Sequence, residues 1–194
     1  MSGAGLRALL LCGGSSSRFG SNKLLAPLDG EPLVARSARH LIAGVGRALA
    51  VVPVGSPALA QALDDAGCDV LASPDCARGL GASLAAGVAA SAGAEGWIVA
   101  LGDMPFIDPL TIAAVAERIG RGALLAAPVH QGVRGHPVGF SRALKAELLA
   151  LDGDEGARAV LAKHRGALES VFVDDAGVTA DVDVPADLQA RGGD

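Results

Sequence analysis

The sequence predicts an α/β fold in which a doubly wound, mostly parallel sheet forms the middle of three layers. Short apolar runs typical of buried strands alternate along the chain with longer segments whose apolar residues recur at helical spacing. Turn residues, mainly Gly, Pro, Ser and Asp, follow these runs. The 194 residues fit one domain, 1–194, whose core is mainly Ala, Leu and Val because Tyr is absent and Trp occurs once.

The first predicted strand is an apolar run from Leu6 to Cys12 that stops abruptly at Gly13 and Gly14. Glycines allow a backbone to approach an anion closely, and the three serines that follow can donate hydrogen bonds. Arg18 and Lys23 add positive charge to the same loop. Because a guanidinium grips two oxygens and an ammonium acts as a mobile point charge, the loop predicts a polyphosphate site.

Two commoner phosphate motifs fail on spacing. A P-loop needs a glycine directly before its lysine, and no glycine precedes Lys23 directly. A dinucleotide fingerprint needs Gly-x-Gly-x-x-Gly, which Gly13, Gly14 and Gly20 do not form. The alternative to a phosphate site is a flexible glycine-serine turn that carries two solvated cations.

The rest of the chain continues the alternation of strand and helix. Helices are predicted at 32–43 and 57–66, in an alanine-rich segment ending near 93, at 110–119 and from 185 onward; strands are predicted at 49–54, 70–72, 97–101, 124–128 and 168–173. Pro32 suits the first turn of its helix because it lacks an amide hydrogen. Helices that connect successive strands in this way make those strands parallel.

The strand at 97–101 leads to Gly102 and Asp103 at its carboxyl end. In open α/β sheets ligands bind beyond the carboxyl ends of the strands. Asp103 and the loop from Gly13 to Lys23, called the glycine loop below, are therefore predicted to face one crevice. Mg²⁺ takes one or two carboxylates together with substrate phosphates and waters, so Asp103 is a candidate metal ligand. A cap on the helix near Pro109 is the competing role for Asp103, but Asp108 suits that role better.

The glycine loop resembles the Gly-Gly-x-Ser-x-Arg-x-Gly-x-x-Lys signature of nucleotidyltransferases related to the molybdenum cofactor cytidylyltransferases and guanylyltransferases. The matching residues are Gly13, Gly14, Ser16, Arg18, Gly20 and Lys23. The passage 102–105, Gly-Asp-Met-Pro, resembles the metal-binding passage of the same family. The resemblance extends over 10–188 and implies a Rossmann-like sheet of the nucleotide-diphospho-sugar transferase type. Arg18 and Lys23 are the predicted catalytic residues, which stabilise charge on the reacting and leaving groups.

The same resemblance implies a set of nucleotide contacts. Relatives contact the base and ribose through an Asn and then through a Gly and a Ser ahead of a helix. Gly79, Gly81 and Ser83 match this pattern, whereas Ser73 stands at the position of the Asn. The predicted nucleotide-binding set is Cys12, Gly13, Gly14, Ser16, Gly79 and Ser83. The competing interpretation is a glycine-rich entry loop in which Ser83 only lies near a helix start.

The sequence from 181 to 188 is Asp-Val-Asp-Val-Pro-Ala-Asp-Leu and resembles the C-terminal motif of the same family. In that family an acidic side chain of this motif binds the metal. Asp183 is the predicted second ligand of Mg²⁺ (or Mn²⁺). Asp181 is its alternate because strand alternation places both side chains on one face. A helix cap and solvated acids are the competing interpretation.

Two further passages, 132–140 and 153–158, resemble the cytidylyltransferase branch more than the guanylyltransferase branch. They carry Arg134, His136 and Arg158, which are predicted to receive the phosphate and pterin of an acceptor. A purely structural role is also open for each passage. His136 would then only fix an extended turn before Pro137, while Asp154 would cap a helix and pair with Arg158.

Together these motifs predict a magnesium-dependent nucleotidyltransferase that transfers CMP from CTP to molybdenum-molybdopterin and releases pyrophosphate. The residues at the start of the glycine loop, 11–14, are Leu-Cys-Gly-Gly and resemble those of the guanylyltransferases more than those of the cytidylyltransferases. GTP is therefore the alternative nucleotide. The same motifs also fit a sugar-phosphate nucleotidyltransferase or a non-catalytic carrier of molybdenum cofactor. A molybdoenzyme is the expected client.

Bulk properties argue against several classes of partner. The net charge of −5 argues against general nucleic-acid binding. No apolar run approaches the roughly 20 residues that span a bilayer, so no membrane partner is expected. The cysteines, Cys12, Cys68 and Cys76, leave one unpaired in any disulfide scheme, which favours a reducing compartment. A soluble cytoplasmic protein is the expectation.

Overall fold

A computed structural model describes residues 5–13 and 23–182 of the chain. The strands are β1 (Leu6–Leu11), β2 (Pro27–Leu28), β3 (Glu31–Pro32), β4 (Ala48–Pro53), β5 (Asp69–Ser73), β6 (Gly96–Leu101), β7 (Leu125–His130), β8 (Val133–Arg134), β9 (Val138–Ser141) and β10 (Leu168–Phe172). The helices are α1 (Leu33–Val45), α2 (Pro57–Asp65), α3 (Leu80–Ala90), α4 (Pro109–Gly120), α5 (Lys145–Leu149) and α6 (Arg158–Lys163).

Within the described residues, eight strands form one sheet in the order β10-β7-β9-β6-β1-β4-β5, with β8 paired to β7. Strand β1 lies between β4 and β6 and is parallel to both. Strand β9 is antiparallel to β6 and to β7. The prediction of a mostly parallel, doubly wound sheet is therefore confirmed.

Helices cover both faces of this sheet. Helices α1, α2 and α4 pack on one face against Ala8 and Leu10 of β1. Helices α3, α5 and α6 pack on the other face, where Leu9 and Leu11 point. Successive side chains of a strand alternate between faces, so a central strand covered on both sides is apolar throughout. No helix among the described residues is both long enough and apolar enough to cross a membrane.

Several elements differ from the sequence prediction. The strand predicted at 124–128 continues to His130, and the helix predicted to end near 93 ends at Ala90. Just past that end, the Ser91 hydroxyl accepts a hydrogen bond from the indole of Trp97 at 2.9 Å, which fixes the turn. The short strand β9 and helix α5 were not predicted. Strand β9 has only four residues and includes Gly139, so its apolar pattern is too short to indicate a strand.

Helices α1 and α4 approach each other closely at Gly44 of α1. A Cβ added to Gly44 would lie 2.6 Å from Cγ2 and 2.7 Å from Cβ of Ile112 on α4. We expect Gly44→Ala to lower the free energy of unfolding by about 1–3 kcal/mol, because overpacking outweighs the roughly 0.5–1 kcal/mol that Ala gains over Gly in a helix. Urea denaturation measures this change.

Gly120→Ala is the matched control, at the last residue of α4. Apart from its two chain neighbours and the backbone of α4 itself, no described atom lies within 4 Å of a Cβ added there. This variant should be as stable as the wild type or slightly more stable. If Gly44→Ala matched Gly120→Ala in stability, the close approach of the two helices would be contradicted.

Candidate active site

The site begins where the central strands β1 and β6 end side by side. The two strands run in register from Leu6 opposite Gly96 to Leu11 opposite Leu101. The chain leaves β1 into Cys12 and Gly13 and leaves β6 into Gly102 and Asp103. A cavity of about 310 Å³ lies at this edge and is lined by Leu11, Cys12, Gly13, Lys23, Leu24, Leu80, Leu101, Gly102, Asp103 and Asp154.

Lys23 and Asp103 meet in this cavity. The Lys23 Nζ lies 2.7 Å from Asp103 Oδ2, and these side chains are 17% and 22% exposed. The same ammonium donates to the carbonyl of Val182 at 3.1 Å. The Val182 amide in turn donates to the carbonyl of Asp103 at 3.0 Å. Lys23, the end of β6 and the segment before Asp183 therefore converge on one point.

The backbone at Cys12 and Gly13 lines the cavity, whereas the Cys12 thiol lies in the core. A Cβ added to Gly102 would lie 3.1 Å from the Cys12 Sγ, so the thiol packs beneath the chain that carries Asp103. Burial raises the pKa of the Cys12 thiol well above its ordinary value. The thiol is therefore protonated at neutral pH and is not a nucleophile.

Of the predicted nucleotide contacts at the start of α3, Ser83 lies next to Gly13, and neither Gly79 nor Ser83 lines the first cavity. The Ser83 hydroxyl is fully buried and donates to the Gly79 carbonyl at 2.9 Å. A Cβ added to Gly13 would lie 2.8 Å from the Ser83 Oγ. Ser83 therefore supports the close packing of Gly13 on α3, and direct contacts of Gly79 and Ser83 with a nucleotide stay predictions.

A loop at 152–156 closes the far side of the cavity. The Gly81 amide donates to the Gly153 carbonyl at 2.7 Å, which docks the loop on the start of α3. The carboxylate of Asp154 lies against Gly79, where a Cβ would meet its Oδ1. The alternative in which Asp154 caps a helix is wrong, because α6 has Ala157 at its N-cap and no side-chain cap.

The three predicted acceptor residues line a second cavity of about 240 Å³. Its lining residues are Leu11, Leu80, Leu84, Val99, Leu101, Arg134, His136, Val138, Phe140, Asp154, Glu155, Gly156, Ala157, Arg158 and Leu161. Leu11, Leu80, Leu101 and Asp154 line both cavities, so the two spaces adjoin. Arg134 and Arg158 are exposed, and so are Asp154 and Glu155 of the same lining, so this second space carries charges of both signs.

His136 lines the second cavity and lies close enough to Asp103 to feel the charge of its carboxylate. Burial lowers the pKa of His136, and the carboxylates of Asp103 and Asp181 partly offset this effect. The imidazole is therefore neutral at pH 7. Its Nδ1 is buried and has no hydrogen-bond partner among the described residues. The backbone amide of His136 donates to the Val178 carbonyl at 2.8 Å, which fixes this segment against the chain before Asp181.

Asp103 offers the kind of oxygen ligand that Mg²⁺ and Mn²⁺ take. Among residues 5–13 and 23–182, no group of three or more His, Cys, Asp or Glu side chains is placed to hold a metal ion. Mg²⁺ binds through one or two carboxylates and completes its shell with phosphates and waters, so Asp103 fits a cation shared with a substrate. Exposed Asp181 lies nearby.

Four predicted residues, Gly14, Ser16, Arg18 and Asp183, lie outside the described residues. Sequence reasoning assigned no site role to Ser37 or to the contact of Asp154 with Gly79. Ser37 could have been noticed as a polar residue on the apolar face of α1. No pattern in the sequence indicates the docking of the Asp154 loop, because it depends on contacts between distant segments.

Comparisons with curated proteins give two kinds of relative. The purine catabolism protein PucB of Bacillus subtilis is 30% identical over 196 residues, covering 93% of this chain and 92% of PucB. The 3-deoxy-manno-octulosonate cytidylyltransferase of Chlorobium limicola is 38% identical over 97 residues, covering 50% of this chain. This chain spans only 38% of the length of that relative.

Solved structures match along the whole chain. Rv0371c of Mycobacterium tuberculosis has a TM-score of 0.82 at 28% identity, covering 98% of both chains. Its complex with manganese has a TM-score of 0.78 at 26% identity, covering 96% of this chain and 97% of that one. The Methanothermobacter nucleotidyl transferase Mth528 has a TM-score of 0.82 at 25% identity, covering 97% of this chain and 96% of its own.

Residues 8–168 match the family described as the MobA-like NTP transferase domain. This range contains β6, Lys23, Asp103 and most of β1, the elements that build the first cavity. The expected resemblance is confirmed, and the chain belongs to the MobA-like nucleotidyltransferases.

Proposed function

We propose that this nucleotidyltransferase transfers CMP from CTP to molybdopterin carrying molybdenum and releases pyrophosphate. The observation that carries the proposal is the ion pair of Lys23 and Asp103 in a cavity that adjoins a second one, whose lining includes Arg134 and Arg158. The first space suits the triphosphate and the second suits an anionic acceptor. A molybdoenzyme is the proposed client that receives the product.

In the proposed reaction a phosphate oxygen of the acceptor bonds to the α-phosphorus of CTP. The bond from that phosphorus to the β-phosphate oxygen breaks, and pyrophosphate leaves with its electron pair. Lys23 stabilises the charge that moves onto the leaving group, and Arg18 is proposed to do the same. No covalent enzyme intermediate is needed, which agrees with the buried, protonated thiol of Cys12.

Asp103 is proposed to hold Mg²⁺ or Mn²⁺, with Asp183 or Asp181 as the second carboxylate. Such a cation neutralises phosphate charge and orients the triphosphate when it is bound. The solved complex of Rv0371c with manganese supports a divalent cation in this family. Gly13, Gly14 and Ser16 are proposed to contact the phosphates, and Cys12, Gly79 and Ser83 the nucleoside end.

On the acceptor side, Arg134 and Arg158 are proposed to bind the phosphate of molybdopterin. A guanidinium binds phosphate oxygens through a planar pair of donors. Neutral His136 supplies a hydrogen-bonding ring at the wall nearest Asp103. The aliphatic wall shared by the two cavities provides an apolar surface for the flat part of the acceptor.

A second candidate differs in the acceptor, which would be a sugar acid. It is favoured by the matches to two 3-deoxy-manno-octulosonate cytidylyltransferases, at 38% and 36% identity over 97 and 112 residues. Both candidates use CTP, and the same relatives support CTP over GTP. Release of pyrophosphate with 3-deoxy-manno-octulosonate, and none with molybdopterin, would select the second candidate.

The first test of the chemistry removes the ion pair. Lys23→Ala and Asp103→Ala should each lower kcat for pyrophosphate release by about 100-fold or more, because stabilisation of transferring phosphate is lost. A coupled pyrophosphate assay with CTP, Mg²⁺ and molybdopterin measures the rate. Stability, measured by urea denaturation, should fall far less than activity.

Arg121→Ala is the matched control, because it breaks another Lys/Arg–carboxylate pair. Arg121 and Glu117 lie 2.6 Å apart on the exposed surface of α4. This variant should release pyrophosphate at the wild-type rate. Wild-type rates in both Lys23→Ala and Asp103→Ala would rule out the proposed chemistry.

The choice of nucleotide has its own test. At equal Mg²⁺ and molybdopterin concentrations, kcat/KM should be higher for CTP than for GTP. Steady-state assays over a range of each nucleotide measure this ratio. A clear preference for GTP would make the protein a guanylyltransferase, whereas tight binding of product without turnover would indicate a carrier.

A further inference from the structure

Helix α1 holds the loop that carries Asp103 through two side chains. The Ser37 hydroxyl is buried and donates to the carbonyl of Gly102 at 2.9 Å. One turn later, the His40 Nδ1 lies 2.8 Å from the carbonyl of Ile107 and must donate, because a carbonyl only accepts. The two bonds therefore fix both ends of the segment 102–107 to one helix face.

The bond from Ser37 differs from those of two other serines in or beside helices. Ser83 and Ser91 donate to the carbonyl four residues earlier in the chain, a local bond that needs no distant partner. Ser37 reaches across 65 residues instead. Packing alone does not require the hydroxyl, because α1 uses Ala35 and Ala38 at its neighbouring buried positions. Burying a hydroxyl is unfavourable unless it is bonded, so its contribution here is the bond to Gly102.

The same helix also holds Lys23. The amide of Leu33, the first residue of α1, donates to the carbonyl of Ala26 at 2.9 Å. The amide of Ala26 in turn donates to the carbonyl of Lys23 at 3.0 Å. Leu33 and Ser37 are four residues apart, so the two attachment points are separated along a rigid helix by roughly 6 Å.

We propose that Ser37 and His40 are positioning residues for the transfer reaction. Through them α1 sets the place of Asp103 relative to Lys23, so that the carboxylate can hold the divalent cation beside the phosphates that Lys23 is proposed to contact. This inference rests on the proposed function and extends it to residues that touch no substrate. Removing the Ser37 hydroxyl takes away its bond to the Gly102 carbonyl, so the peptide that precedes Asp103 is held less firmly.

The expected effect falls on the cation and on turnover rather than on nucleotide affinity. Ser37→Ala and His40→Ala should each raise the dissociation constant for Mn²⁺ by about tenfold, the size seen when support for a metal ligand is lost. kcat should fall by about tenfold because the carboxylate is misplaced. KM for CTP should stay within about twofold, since the phosphate contacts of Lys23 remain.

The experiment titrates Mn²⁺ into the 194-residue protein with CTP and no acceptor, using electron paramagnetic resonance to measure free Mn²⁺. Steady-state assays then give kcat and KM for each variant. Thr111→Ala is the control, because it removes another buried hydroxyl, on α4, away from the cavity. It should leave Mn²⁺ affinity, kcat and KM unchanged even where it lowers stability.

Wild-type Mn²⁺ affinity and kcat in both Ser37→Ala and His40→Ala would overturn the inference. Equal losses in Thr111→Ala would also overturn it, because they would show a general effect of lower stability. If the wild type released no pyrophosphate, the proposed function would fail, while the Mn²⁺ titration would still decide whether α1 positions Asp103.

Discussion

The ion pair of Lys23 and Asp103 joins two residues 80 positions apart, and the rest of the site is arranged around it. Both side chains are mostly buried, and burial of charge is unfavourable unless the charges are paired and hydrogen-bonded. The carbonyl of Val182 accepts a further bond from the ammonium. The pair is able to form because the parallel strands β1 and β6 stop at the same edge of the sheet.

The same strand ends explain why two cavities adjoin. Leu11 and Leu101 end β1 and β6, and with Leu80 of α3 they line both spaces. Asp154 is the polar residue that the two linings share. Transfer between two bound molecules is favoured where such a wall holds them side by side.

Local patterns predicted what depends on local structure. The alternation of apolar runs and helical spacing predicted the sheet, and Lys23 and Asp103 were found because each follows a glycine-containing segment near a strand end. Ser37, Asp154 and strand β9 were not assigned because their roles depend on partners distant in sequence. The Ser37 bond needs Gly102, and Asp154 reaches the cavity only after its loop docks on Gly81. The Ser83 hydroxyl donates a hydrogen bond to the Gly79 carbonyl, and the spacing of these residues in the sequence does not indicate this bond.

The proposed function requires that Lys23 and Asp103 act on one nucleotide and its metal ion in a shared cleft. The most direct test is a crystal structure with Mn²⁺ and a non-hydrolysable CTP analogue, in which anomalous scattering locates the metal. Mn²⁺ takes oxygen ligands at about 2.0–2.6 Å, the range of hard divalent cations. We predict an anomalous peak at that distance from a carboxylate oxygen of Asp103, with the Lys23 ammonium on the phosphates of the same nucleotide. A peak remote from Asp103, or a triphosphate that Lys23 does not contact, would contradict the shared cleft.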